Sequence, residues 1–258
     1  MRVFTFGAAI SAAALLCLGV PPSSSAPQAD AHNDVPKIVR TIESRYHSSN
    51  TLKAVFLERY IEDRKADRIE AGTVYFEKPG RMRWDYESPE PKLFLTDGKI
   101  AWFYVPADHT VTRAPMKESE DWRTPLALLT GNADLNRYCK HITLEAAAES
   151  ANPGDVTLRC EPAGQPHDAK NAAHDAEPSE RQALSLDRNA DIQDVLLEAD
   201  PVTGWLARVI IRERGSVEME YGFGRWQQNP TLPAELFRFV APKNVAIVGE
   251  NSSPSSPH

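Results

Sequence analysis

The spacing of apolar residues changes several times along the chain, and each change marks an element. In NDVPKIVRTIESRYHSS, which starts at Asn33, Val35, Ile38, Val39, Ile42 and Tyr46 recur at helical intervals, with Asn33 or Asp34 as a cap and Pro36 in the first turn. From Thr51 the period falls to two. TLKAVFLERYIE, RIEAGTVYFEKPG, RMRWDYES, PKLFLTDGKIAWFYVP and HTVTRAPM read as successive strands, with Asp97-Gly98 as a hairpin turn. A helical interruption, RTPLALLTGN, gathers Leu126, Leu128 and Leu129 between Pro125 and the stop signal Gly131. Strands return in YCKHITLE, DVTLRCEP, DVLLEAD, WLARVIIRE and VEMEYGFGRW, and FRFVAP is expected as the last one. This order predicts one mostly β (α+β) domain over residues 32–250, a curved and incomplete antiparallel barrel with helices over its opening. Residues 163–188 have almost no large apolar side chains and are expected to form a flexible loop, and 251–258 a disordered tail.

Period two also sorts the chemistry of EKPGRMRWDYESP, Glu77 to Pro89. Met82, Trp84 and Tyr86 share one face of that strand while Arg81, Arg83 and Asp85 share the other. A base-stacking surface needs rings and guanidinium groups together. The formal net charge of -7 also removes the counterion-release drive for phosphate binding. No nucleic-acid partner is expected. The next hairpin aligns Ile100, Trp102 and Tyr104, and later strands add Val209 with Ile211 and Met219 with Tyr221. Singly these read as core residues. Together, on a sheet covered by short helices only, they read as the lining of an apolar pocket of the kind that holds a lipid. The expected lining is Met82, Trp84, Tyr86, Trp102, Tyr104, Val209, Ile211, Met219 and Tyr221, with Leu126, Leu128 and Leu129 above them.

The ends of the chain and its cysteines bear on compartment. Arg2, the apolar run Val3 to Val20 and the A-x-A pattern Ala29-Asp30-Ala31 describe a secretory signal peptide over residues 1–31, removed on export. Leu16 ahead of Cys17 does not suit a lipoprotein signal, so the mature chain is expected without a lipid anchor. Cys139 and Cys160 then remain in an oxidising compartment. A symmetric hairpin about Glu149 and Ser150 sets them opposite each other, within reach of a disulfide, with two buried free thiols as the alternative.

The chain has no G-x-S-x-G, H-E-x-x-H, C-x-x-C or phosphate-loop motif, and no cofactor or metal is expected. Asp187, Asn189, Asp191 and Glu198 imitate a calcium loop, but Ile192 stands where that loop needs glycine.

Two blocks in tandem, K-P-G-x-x-R-W-x-Y-x-x-P from Lys78 and D-G-K-x-x-W-x-Y from Asp97, carry a family resemblance. With LKAVFLERY before them and TPLALLTG, RERGS, NPTLP and FRFVAP after them, the chain resembles the bacterial periplasmic lipoprotein carriers of the LolA type. The resemblance implies an unclosed antiparallel β-barrel under a helical lid. It implies a monomeric periplasmic chaperone that takes outer-membrane lipoproteins from an inner-membrane ATP-driven release complex and passes them to an outer-membrane receptor. Binding of the acyl chains would be noncovalent and free of cofactors, driven by about 0.8 kcal/mol per buried methylene. Trp84 matches the family's cavity tryptophan. Lys78 stands where several carriers have an arginine that latches the lid, and a lysine lacks that planar fork. A carrier of another lipid and an envelope-stress lipoprotein sensor share the resemblance. An exported hydrolase is the rival of a different class, separable by turnover.

Overall fold

A computed structural model describes residues 29–116, 129, 134–145, 150, 152–163 and 192–249. Its sheet is built from β1 (Thr51–Glu62), β2 (Lys65–Glu77), β3 (Arg81–Ser88), β4 (Lys92–Thr96), β5 (Ile100–Val105) and β6 (Thr110–Pro115). The later strands are β7 (Cys139–Leu144), β8 (Val156–Pro162), β9 (Ile192–Ala199), β10 (Leu206–Glu213), β11 (Val217–Gln228) and β12 (Ala246–Val248). All twelve lie in one sheet, in the order β12-β6-β5-β4-β3-β2-β1-β11-β10-β9-β8-β7. Pairing is antiparallel throughout except for β12 against β6. β12 and β7 remain edges, so the barrel is not closed.

One face of the sheet carries the main core. Leu52, Ala54 and Phe56 of β1 are in register with Phe76, Val74 and Gly72 of β2, and these with Met82, Trp84 and Tyr86 of β3. On the other side of β1, Phe56 pairs with Phe223, and the face continues through Val209, Ile211, Val195, Leu197, Leu158 and Cys160. Helix α1 (Ala29–His47) lies on this inner face and buries Val35, Ile38, Val39, Ile42 and Tyr46, the stripe expected from their spacing. The short helix α2 (Leu135–Tyr138) joins it: Asp134 caps the Arg137 amide, and Glu43 Oε1 of α1 accepts from the Leu135 amide at 2.8 Å. Leu129 is buried in the same core. None of the described helices is long and apolar enough to cross a membrane.

The structure corrects three expectations about elements. Helix α1 already runs through Asn33 and Asp34, so neither is its cap, and Pro36 is accommodated inside it rather than in its first turn. FRFVAP is not a strand. Phe237 closes a 3-10 turn, Ala234–Phe237, and Phe239 lies on ring surfaces of the sheet instead of pairing with a neighbouring backbone. Cys139 and Cys160 are disulfide-bonded with Cα atoms 5.3 Å apart, yet they do not oppose each other in the ladder. Ile142 faces Cys160 and Cys139 faces Pro162, because α2 runs directly into β7 and a bulge follows Cys139.

The outer face divides into two halves. Across β7 to β11 it is a ladder of opposite charges: Arg159 joins Glu145 and Asp194, Arg208 meets Glu198 at 2.7 Å, and Arg212 meets Glu218 at 3.1 Å. Glu198, part of the imitation calcium loop, is thus committed to an arginine, while Asp187, Asn189 and Asp191 lie outside the described residues. Across β4 to β6 the outer face is apolar. Leu95 and Val111 are fully buried there, and Phe237 is buried outside the main core.

Candidate functional site

The inner face is unevenly covered. Toward the start of β1 it is sealed by α1, whose last turns are fixed at several points. Tyr46 is fully buried; its hydroxyl accepts the Leu206 amide at 2.9 Å, and its ring meets Trp205 and Trp226 edge-on at 5.9 Å each. Burial raises the Tyr46 phenol far above its ordinary range, so it stays neutral. Arg45 donates to the Thr203 carbonyl at 2.8 Å and lies over the Trp205 ring at 4.7 Å. Gly204 permits this contact: it has positive φ, and a Cβ there would come within 2.6 Å of the Thr41 carbonyl. From the β2–β3 turn, Lys78 Nζ donates to the His47 carbonyl at 2.7 Å, and partial burial lowers its ammonium pKa. A lysine therefore ties the end of α1 to the sheet at one point, where a cation suits the negative end of a helix.

Beyond α1 the same face stays half open. Tyr86, Phe94, Met219 and Tyr221 are half-buried and pack onto the core, while Phe103 on the same face is 36% exposed. Trp84 forms the floor, 4.7 Å from Phe56, 5.8 Å from Tyr221 and 6.2 Å from Phe223 between ring centroids. Gly72 shapes this floor. It sits between Phe56 and Tyr86 in the ladder, and with no side chain there the two rings meet at 5.0 Å. A Cβ on Gly72 would fall 1.9 Å from the Asp85 carbonyl. The phenols of Tyr86 and Tyr221 are both held well above their ordinary pKa, first by desolvation and then by Glu58, although neither ring is sealed from solvent.

Polar groups mark one end of the half-open face. Glu58 of β1 and Glu70 of β2 oppose each other on the inner face and are both buried. Glu70 is ion-paired with Lys92 and, at 3.5 Å, with Arg68. Glu58 Oε2 accepts the Tyr86 hydroxyl at 2.7 Å. Burial raises the Glu58 carboxyl pKa, opposed by that hydrogen bond and reinforced by Glu70.

Of the expected lining, Met82, Trp84, Tyr86, Val209, Ile211, Met219, Tyr221 and Leu129 come together on the inner face. Leu126 and Leu128 lie outside the described residues. Trp102 and Tyr104 do not belong to the lining. Trp84 is in register with Phe94 and Phe94 with Phe103, which turns Trp102 and Tyr104 to the outer face beside Leu95 and Val111. Phe239 covers them there, stacked on Trp102 at 6.0 Å. Arg81, Arg83 and Asp85 are also on that side, with Arg83 donating to the Leu236 carbonyl at 3.1 Å. The reading of spacing missed Phe56, Phe94 and Phe103, and it missed Glu58, although Glu58 continues the phase of Leu52, Ala54 and Phe56. Among the described residues, no three His, Cys, Asp or Glu side chains are grouped as a metal site.

Residues 47–160 match the family model described as outer membrane lipoprotein carrier protein LolA. The outer-membrane lipoprotein carrier protein of Nitrosospira multiformis is 25% identical over 217 residues, covering 82% of this chain and 88% of that protein. The carrier of Dechloromonas aromatica is 27% identical, with coverages of 79% and 83%. Among solved structures, a LolA superfamily protein from Nitrosomonas europaea aligns with a TM-score of 0.38 at 11% identity, over 78% of this chain and 96% of that one. The MucA/MucB complex of Pseudomonas aeruginosa gives 0.43 at 11%, over 83% and 63%. Residues 47–160 carry the LolA pattern, and over 82% of its length the chain resembles outer-membrane lipoprotein carriers.

Proposed function

We propose that this chain is a periplasmic carrier that shelters the acyl chains of lipoproteins on its half-open inner face and ferries them from the inner to the outer membrane. The observation that carries this reading is the aromatic and apolar stretch of that face beyond α1, where the partly buried Tyr86, Phe94, Met219 and Tyr221 pack onto a floor of Trp84 and Phe56. The similarity to outer-membrane lipoprotein carriers supports it. Exchange of cargo is noncovalent: chains leave water for the aromatic floor and return to a membrane or a partner of equal apolarity, so transfer needs no bond chemistry. On this reading an inner-membrane ATP-driven complex loads the carrier and an outer-membrane receptor unloads it.

Purification from the periplasm of the native cell, followed by mass spectrometry of extracted ligands, tests the proposal. The expected result is a lipoprotein bound in stoichiometric amount. Protein that is empty under all conditions, or that turns over a lipid substrate, overturns it.

A further inference from the structure

One row of side chains crosses the inner face from strand to strand. Ala54 is in register with Val74, Val74 with Trp84, Trp84 with Phe94, Phe94 with Phe103, Phe103 with Thr112, and Thr112 with Val248. Exposure rises along its apolar members. Val74 is 0% exposed and Trp84 2%, Phe94 is half-buried, Phe103 is 36% exposed, and Val248 on the edge strand is 45% exposed. The row is thus closed where α1 seals the sheet and open at β12. At about 4.8 Å per strand, the four spacings from β3 to β12 measure about 19 Å, the reach of an extended palmitoyl chain.

We propose that the acyl site extends along this row to the β12 edge, with the tail of the chain at Trp84 and its polar head beyond β12, so that Phe103 and Val248 determine how long a chain is held. This rests on the reading of the inner face as an acyl-chain site. The direction of the row selects the occupant. It runs across the strands, whose backbone groups are already paired in the ladder, so it offers side-chain contact and no hydrogen bonds. A peptide laid there would leave its own amides unpaired, whereas a hydrocarbon chain has none to satisfy. Each further methylene laid on the row strengthens binding by about fourfold. The gradient of exposure sets the orientation, because the tail gains most where the floor is most buried and the head keeps its water at the open edge.

The test is displacement of diphenylhexatriene from the whole mature protein by octanoate and by palmitate, which share a head and differ in length. Val248→Ser is expected to raise the palmitate concentration needed by about fourfold, the worth of one methylene, and to leave octanoate unchanged, since the shorter chain stops before β12. Phe103→Ser, nearer to Trp84, is expected to weaken palmitate at least as much. Ile247→Ser is the control: Ile247 is 48% exposed on the same edge strand, but its register with Val111 turns it to the outer face, and both ligands should displace as from the parent. Palmitate unchanged by Val248→Ser and Phe103→Ser, or weakened equally by Ile247→Ser, overturns the inference and leaves the acyl-chain reading standing. An effect of Val248→Ser on octanoate as large as on palmitate places the short chain at the edge and also overturns it. Failure of both ligands to displace, or of the dye to bind, overturns the acyl-chain reading and this one with it.

Discussion

Replacing Tyr46 by phenylalanine isolates the peg that holds α1 on the sheet. The ring stays, so its contacts with Trp205 and Trp226 survive; the hydroxyl that accepts the Leu206 amide at 2.9 Å is lost. Tyr46 is 0% exposed, and the space of one oxygen atom is too small to admit a water in its place. The Leu206 N–H is left buried without a partner, which costs about 1–3 kcal/mol. For a domain of this size each kcal/mol lowers Tm by about 2–4 °C. A fall of about 2–12 °C is therefore expected in thermal unfolding followed by circular dichroism. Hydrogen exchange should show faster exchange at Leu206 and along the last turns of α1. An unchanged Tm together with unchanged exchange at Leu206 would refute the account of α1 as a pegged cover.

Four other outcomes are expected. Trp84→Phe should remove the fluorescence response to a bound apolar probe while Trp102→Phe leaves it, because only Trp84 lies on the inner face; the reverse pattern would contradict the register of β3 to β5. Glu58 holds its proton longer folded than unfolded, so its burial lowers stability as pH rises from the ordinary carboxylate value of about 4.3 through the raised one, and the loss persists above. Urea titrations should show the gap between Glu58→Gln and the parent changing across that range, in favour of the variant at higher pH; a constant gap refutes it. Intact mass of the exported protein after alkylation should show no reactive thiol at Cys139 or Cys160, and reduction should cost about 3 kcal/mol for a loop of this length. Lys78→Met removes one exposed contact to the end of α1, so a loss below about 1 kcal/mol is expected in urea unfolding, and a larger one would mean Lys78 holds more than the His47 carbonyl.

Where a single element carries its own face, its sequence was readable. The stripe from Val35 to Tyr46 and the alternation of Met82, Trp84 and Tyr86 each place a side chain without reference to anything distant. Trp102 shows where that stops. Period two says that Trp102 and Tyr104 share a face, but which face depends on how β5 registers with β4 and β4 with β3. FRFVAP alternates well enough for a strand, yet the Phe239 ring is satisfied by Trp102 and Tyr104 on the outer surface of β5, a partner far away in the chain. Glu58 was overlooked for a different reason. A charge in phase with Leu52, Ala54 and Phe56 does not enter an apolar pattern, and what makes it tolerable on the inner face, the Tyr86 hydroxyl and the cations paired with Glu70, comes from other strands.

The position of β1 in the middle of the sheet has a consequence for the order of assembly. β1 to β6 form a run of adjacent hairpins that can pair as the chain emerges, but the other flank of β1 waits for β11, whose Glu220 is separated from its partner Arg59 by 161 residues. Until then β1, a long strand with an apolar side, stands unpaired along that edge. Contacts this distant in sequence slow folding, and an open edge of this kind invites pairing with another chain. The protein is therefore most vulnerable to aggregation between emergence of its first half and arrival of β11, and a holding chaperone would have to protect that interval.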